Sequence, residues 1–253
     1  GKSYTAALLV AADGRNSVAR RIAKINSTNI NYRQSSIVFT VRHRNPHKGV
    51  AYEQFTPGGP IASLPMSGNQ SSIVWSEDSE VVKSLMLLAD EDFADAASYR
   101  LNDCLGKMVI ISGRKVFPLS LTYADTIIAD RFAMVGDAAH GLHPIAGQGF
   151  NLGLRDIANL IEEISNARRL GLDIGSFETL RSYQATRRLD NFSLVAATDG
   201  LNRLFSNKNK FVRSIRSNGL DAVNTINPLK NLFMEIAMGE AGSLPLLLGG
   251  RLP

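Results

Sequence analysis

The sequence predicts a mixed fold, an α/β part joined to an α+β part, and three observations carry the prediction. Residues 4–12 (YTAALLVAA) and Phe132-Ala133-Met134-Val135 are short apolar runs of the kind that form strands buried on both faces of a parallel sheet. Between them lies a succession of short strand patterns separated by turn signals. Beyond Asp137 the apolar spacing becomes helical and stays so to the end of the chain.

Taken in order, the strand at 4–12 ends at Asp13-Gly14. Ser35–Arg44, Val50–Phe55, Ile61–Leu64, Ser71–Ser76, Lys107–Val116 and Leu119–Tyr123 then read as strands, divided by Asn45-Pro46, Pro57-Gly58-Gly59-Pro60 and Ser67-Gly68-Asn69. Glu80 to about Leu105 reads as one or two helices, so this stretch is a mostly antiparallel sheet with a helical insertion. The strand at 132–135 stops at Gly136-Asp137 and a turn rich in Gly and Pro follows. Phe150, Leu154, Ile157, Ile161 and Ile164 recur at spacings of 4, 3, 4 and 3, one face of a helix expected to meet the core. A second helix is expected from Phe177 to about Phe205, with Leu180, Tyr183, Phe192 and Val195 as core contacts, and a third stretch from Phe211 to Met238 broken at Asn227-Pro228. The expected segments are therefore 1–21, 22–124, 125–170 and 171–253.

Composition narrows the function classes. With 253 residues, 44% hydrophobic and 20% charged, the chain can bury a sizeable core. No apolar run approaches the roughly 18–20 residues of a membrane span. The single cysteine, Cys104, rules out an internal disulfide framework and reads as a packing residue. The net charge of +5 is scattered, with small clusters at Arg15/Arg20/Arg21/Lys24 and Arg181/Arg187/Arg188. Nucleic-acid binding would need a denser basic stripe with interleaved aromatics, so no nucleic-acid partner is expected. A weak peripheral contact with an anionic membrane surface fits better, beside the plainer reading of solvated surface charge.

The chemistry concentrates at residues 136–156, GDAAHGLHPIAGQGFNLGLRD. A strand that ends in Gly-Asp and leads through a glycine loop into a helix brings a carboxylate and free backbone N–H groups to one point. Asp137 is the carboxylate; by itself it could equally be a turn or cap aspartate. Gly147 and Gly149 let the backbone approach a flat ring, with Gln148, Phe150 and Asn151 at the helix start. Asp137, His140 and His143 spell D-x-x-H-x-x-H, but Pro144 and the glycines break any common face, so no metal is expected. His43 and His47 flank a turn and read as surface residues.

Residues 136–156 closely resemble the second FAD-binding motif of the flavin-dependent aromatic hydroxylases, and H-P-I-A-G-Q-G-F-N-L-G-L-R-D resembles their ubiquinone-biosynthesis (UbiH/UbiF/VisC) branch. Ala12 to Arg20 (ADGRNSVAR) resembles the DG motif of the same proteins, and residues 216–224 and 228–239 resemble their C-terminal helices. The resemblance implies a flavoprotein fold: the later part of a Rossmann-like FAD-binding domain, a substrate-domain sheet at 22–124, and C-terminal helices. It implies that Asp137 takes ribityl hydroxyls, and that Gly136, Pro144, Gly147, Gln148, Gly149, Phe150 and Asn151 form the loop at the ring. It also implies that Asp13, Gly14 and Arg15 lie near the pyrophosphate and the pyridine nucleotide, where Arg15 or Arg20 could meet a phosphate.

The implied activity is a cytoplasmic FAD-dependent monooxygenase, reduced by NAD(P)H and peripheral at the inner membrane. It would hydroxylate a polyprenylated phenol with O2 through a flavin C4a-hydroperoxide. The catalytic residues and the ring position are not legible. No dinucleotide fingerprint occurs, since Gly147-Gln148-Gly149 with Gly153 has the wrong spacing and follows a loop. The expectation is thus a C-terminal fragment of the hydroxylase, inactive and weak toward FAD alone. Its unpaired strand edge would favour self-association or contact with other ubiquinone-biosynthesis proteins. Two alternatives stay open: a non-catalytic remnant or assembly module, and a related flavin hydroxylase or epoxidase with another substrate.

Overall fold

The computed structural model describes residues 2–142, 147–188 and 245–253, with Asn191, Gly200, Val223, 225–228, Lys230, Asn231 and Met234. It divides into two compact units. One holds the chain up to Ile30 and again from Leu121 to Arg188; the other holds Asn31–Ser120.

In the first unit, β1 (Leu9–Ala11) pairs in parallel with β9 (Phe132–Met134), Leu9 opposite Phe132, and β8 (Ile128–Ala129) pairs antiparallel with β9 on its other side. The expected parallel pair of apolar strands is therefore present. It is shorter than 4–12 suggested, and Leu9 and Val10 are exposed, so β1 is not covered on both faces. Helix α1 (Val18–Ile22) follows β1, and α4 (Gly149–Arg169) follows β9 after a single turn of 3-10 helix at Gly136–Ala138 and the short β10 (His140–Gly141). Residues 177–188 form a further helix, here α5. The core gathers Ala11, Ile128, Phe132–Val135, Leu160, Leu180 and Tyr183. The expected continuation of α5 to Phe205, with Phe192 and Val195, and most of the 211–238 stretch lie outside the described residues.

In the second unit, β2 (Ser27–His43, entering from Ile30), β5 (Gln70–Asp78), β4 (Gly59–Pro65) and β3 (Tyr52–Thr56) form antiparallel neighbours in that order, with β6 (Met108–Ile110) on the far side of β2. Alternation decides the buried face: Ile37, Phe39 and Val41 on β2 meet Ile73 and Trp75 on β5 and Ile61 on β4. Helices α2 (Ser79–Met86) and α3 (Asp90–Arg100) cover it through Val82, Phe93, Ala94 and Ala97. The helical insertion is thus two helices, parted at Leu87–Ala89.

Three expectations change. The run Lys107–Val116 is two strands, β6 and the start of β7 (Lys115–Ala124), because Ser112-Gly113 interrupts it. β2 begins eight residues before Ser35, since Ser27–Gln34 is a polar, half-exposed run with little apolar signal. His43 is buried, with Nδ1 on the Asn45 carbonyl at 2.8 Å and Nε2 on Ser71 Oγ at 3.0 Å, and His47 edges its ring at 5.6 Å. Among the described residues, no helix is long and apolar enough to cross a membrane.

Candidate functional site

The site grows from the end of β9. The Val135 amide still donates to the Ala11 carbonyl (3.0 Å), so the parallel pair holds up to the turn. Gly136 then takes φ +59°, a left-handed conformation that glycine adopts without a Cβ penalty. The reversal leaves Asp137 on the surface while Ala138 and Ala139 are buried. The Asp137 carboxylate is half exposed, with Arg15 Nη2 3.7 Å away. It is a hydrogen-bond acceptor presented at a strand end.

The DG segment is clipped onto this turn by two arginines. Arg15 donates from Nη2 to the Leu142 carbonyl (2.9 Å), and a Cβ at Gly141 would lie 2.5 Å from Arg15 Nε, so the glycine leaves space for that side chain. Arg20, buried, donates to the Ala138 carbonyl (2.7 Å) and to the Arg15 carbonyl (3.0 Å). The structure thus brings Arg15 beside Asp137 and gives the Arg20 guanidinium to backbone carbonyls. Gly14 has φ +81° in open space.

Asp13 holds the start of α1. Its carboxylate accepts from Ser17 Oγ (2.6 Å) and from the Val18 and Ala19 amides (2.8 and 3.0 Å), capping α1. The Ser17 hydroxyl first, and then the Ala19 amide, hold its carboxyl below the usual carboxylate range. A folded pKa below the unfolded one stabilises the fold above roughly pH 4, and the contribution fades as pH falls through the depressed value. Asp13→Ala should therefore lower Tm by about 2–4 °C at neutral pH. In thermal melts across pH, the gap from wild type should close in acid; a gap that persists there would refute the capping account.

The loop into α4 supplies the second half of the site. Gly147 (φ +63°) is exposed and Gln148 buried. The Gln148 carbonyl accepts the Leu152 amide at 3.0 Å, and its Oε1 accepts from Asn151 Nδ2 at 3.2 Å. Among the described residues, the N-cap Gln148 makes no side-chain cap hydrogen bond and the first turn of α4 holds no acid, while a Cβ at Gly147 or Gly149 would meet open space. Phe150 is exposed beside it. Pro144 and His143 lie outside the described residues. The arrangement offers an acceptor, helix-end N–H donors, and room for a flat ring to approach the backbone. This donor set fits a flavin: Asp137 suits its hydroxylated ribityl chain, and the α4 N-terminus suits its electron-rich pyrimidine edge.

Sequence reasoning placed α4 correctly and its buried face wrongly. Phe150 (75% exposed), Leu154 (38%), Ile157 (43%) and Ile161 (39%) point away from the core, and only Ile164, at the end of the stripe, packs partly buried against it. The inward face is Leu152, Asp156, Asn159 and Leu160, and Gly153 stands 3.8 Å or less from Gly136 when either is given a Cβ. Asp156 was the missed residue. Fully buried, it accepts the Gly136 amide, His140 Nε2–H and Arg187 Nε–H. The available signal was an acid four residues from a leucine on either side, Leu152 and Leu160, on a helix that has to bury something.

A parallel strand pair, a Gly-Asp turn and a helix entered through a glycine loop fit a nucleotide-cofactor domain. Residues 1–196 match the family model described as "FAD binding domain", and the chain belongs to that family. It is 47% identical over 239 residues to the ubiquinone hydroxylase UbiL of Rhodospirillum rubrum, covering 94% of this chain and 56% of that protein. It is 35% identical to the human mitochondrial ubiquinone biosynthesis monooxygenase COQ6, covering 94% and 58%. The chain thus spans little more than half the length of these relatives. Among solved structures, the probable FAD-dependent monooxygenase PqsL of Pseudomonas aeruginosa superposes with TM-score 0.69 at 25% identity, covering 79% of this chain and 57% of that one. The p-nitrophenol 4-monooxygenase PnpA of Pseudomonas putida shares the fold, with TM-score 0.72 at 16% identity over 94% and 60%.

Proposed function

We propose that this chain forms the ribityl and pyrimidine side of the flavin site in an FAD-dependent monooxygenase that hydroxylates the ring of a polyprenylated phenol in ubiquinone biosynthesis, with NAD(P)H as reductant. The observation that carries the reading is the half-exposed Asp137 carboxylate, set at a strand end by the Gly136 turn, against which α4 packs at Gly153. The likeness to UbiL and COQ6 supports the substrate class. Bound FAD would supply reductive activation of O2 for transfer to the ring.

The chain's own residues bind and orient. Asp137 accepts hydrogen bonds from ribityl hydroxyls, with Arg15 fixing its carboxylate from one side. The α4 N–H groups stabilise negative charge at the ring edge, and Gly147 and Gly149 let the backbone reach it. A polyprenyl-bearing substrate partitions into lipid, so peripheral attachment of the protein at the inner membrane, helped by its +5 net charge, goes with this reading.

The test is spectroscopic. The protein as its gene encodes it should purify yellow, and Asp137→Ala should weaken FAD binding by about 10-fold or more, the scale of hydrogen bonds to a charged acceptor. A colourless wild-type protein with no flavin-induced absorbance change would sink the proposal. A strain lacking the gene should accumulate the unhydroxylated prenyl phenol; normal quinone content would assign another substrate.

A further inference from the structure

Asp156 takes no part in the flavin contacts set out above, yet it is a wholly buried carboxylate with three hydrogen-bond partners. It is 0% exposed and anchored at both oxygens: Oδ2 accepts the Gly136 amide (2.9 Å) and His140 Nε2–H (2.6 Å), and Oδ1 accepts Arg187 Nε–H (2.8 Å). Arg187, itself buried, passes a further hydrogen bond from Nη2 to Asn191 Oδ1 (2.9 Å). One carboxylate thereby ties α4, β10, α5 and the turn after β9.

Packing alone does not account for this cluster. Burying an ion pair carries a desolvation penalty that apolar side chains of the same volume would avoid. What the polar cluster adds is direction. Gly136 sits at φ +59° with no side chain, so its own torsional preference does little to hold the turn. The Asp156 hydrogen bond to its amide does hold it, one peptide away from Asp137. The imidazole and guanidinium lock the rotation of the carboxylate, because each grips a different oxygen.

We infer that Asp156, gripped by His140 and Arg187, is a positioning residue that aims the Gly136-Asp137 turn at the ribityl hydroxyls of the flavin. The inference rests on the flavin-site reading of Asp137. A site is precise only when the residues behind its contacts are themselves locked by hydrogen bonds. Here that support comes from side chains far apart in sequence, at positions 140, 156 and 187.

The decisive comparison is His140→Leu against His140→Gln, each in the whole protein and titrated with FAD while its Tm is recorded. Glutamine places an amide N–H near the position of the lost Nε2–H; leucine fills the space without a donor. The expected result is about 10-fold weaker FAD binding and a shifted visible flavin spectrum for the leucine variant, with glutamine within about twofold of wild type. Asp156→Asn, which cannot accept at both positions, should resemble leucine. If that variant does not fold, the two His140 variants decide the matter. A merely structural cluster would lower Tm in both His140 variants and leave FAD affinity and spectrum unchanged, which would overturn the inference while the flavin reading stands. Wild-type protein that binds no flavin would overturn both.

Discussion

Arg187→Met is expected to lower the folding stability of this chain by about 3–5 kcal/mol, because it leaves the fully buried Asp156 without its cation. Arg181, on the same helix, is the internal control. It is exposed and reaches Glu178 at 3.7 Å, an i,i+3 surface pair whose removal should change stability by no more than about 0.5 kcal/mol. Urea unfolding of the two variants, followed by far-ultraviolet circular dichroism, compares them on one scale. The double variant Arg187→Met/Asp156→Leu should recover part of the loss, since it removes the orphaned charge along with its partner. Equal losses for Arg187→Met and Arg181→Met would show that the buried cluster holds nothing. The cluster also bears on Tyr183, whose phenol donates to the Met134 carbonyl at 2.8 Å. Burial first, and the nearby Asp156 carboxylate second, push its pKa well above the ordinary tyrosine value.

The second large effect belongs to the other unit. Phe93→Ala should cost about 3–5 kcal/mol, the range for emptying an aromatic site that cannot collapse. Phe93 is wholly buried, set edge-on to Phe39 at 4.9 Å and tilted against Trp75 at 5.5 Å, with the Arg114 guanidinium 4.8 Å from its ring centroid. Removing it strips an aromatic contact from each neighbour together with a cation–π contact. Trp75 is the only tryptophan in the chain, so its fluorescence reports on this core directly. The variant should unfold at lower denaturant with a red-shifted native emission; an unchanged midpoint would contradict the packing seen here.

Much of this architecture is legible in the sequence. Ser35–Arg44 read as a strand and is part of one, and the apolar 132–135 run followed by Gly-Asp marked a strand end carrying a carboxylate. Several failures share one cause: polar residues where pattern reading weights only apolar ones. Ser27–Gln34 joins β2 through backbone pairing that leaves little trace in hydropathy. His43 is buried because Ser71 and the Asn45 carbonyl satisfy both ring nitrogens, and neither partner is visible from a histidine beside a turn. On α4 the apolar stripe from Phe150 to Ile161 misled, because the inward face carries Asp156 and Asn159. A buried charge is recognisable only with its partners, and these stand 16 residues before it, at His140, and 31 after it, at Arg187. Asp13 adds a complementary point: a motif residue can also cap a helix, and hydrogen-bond geometry alone reveals that role.

The Gly136–Gly153 contact carries one last consequence. Where α4 crosses the turn, main chain lies against main chain and no side-chain atom stands between them. A joint of that kind has no rotamers to exchange, so its spacing is a fixed length set by the radii of backbone atoms. Flanking side chains can vary in size and still leave the gauge between strand end and helix untouched. Alanine at 153 would place its Cβ at ordinary contact distance from the Gly136 Cα, so the gauge has room for one methyl group.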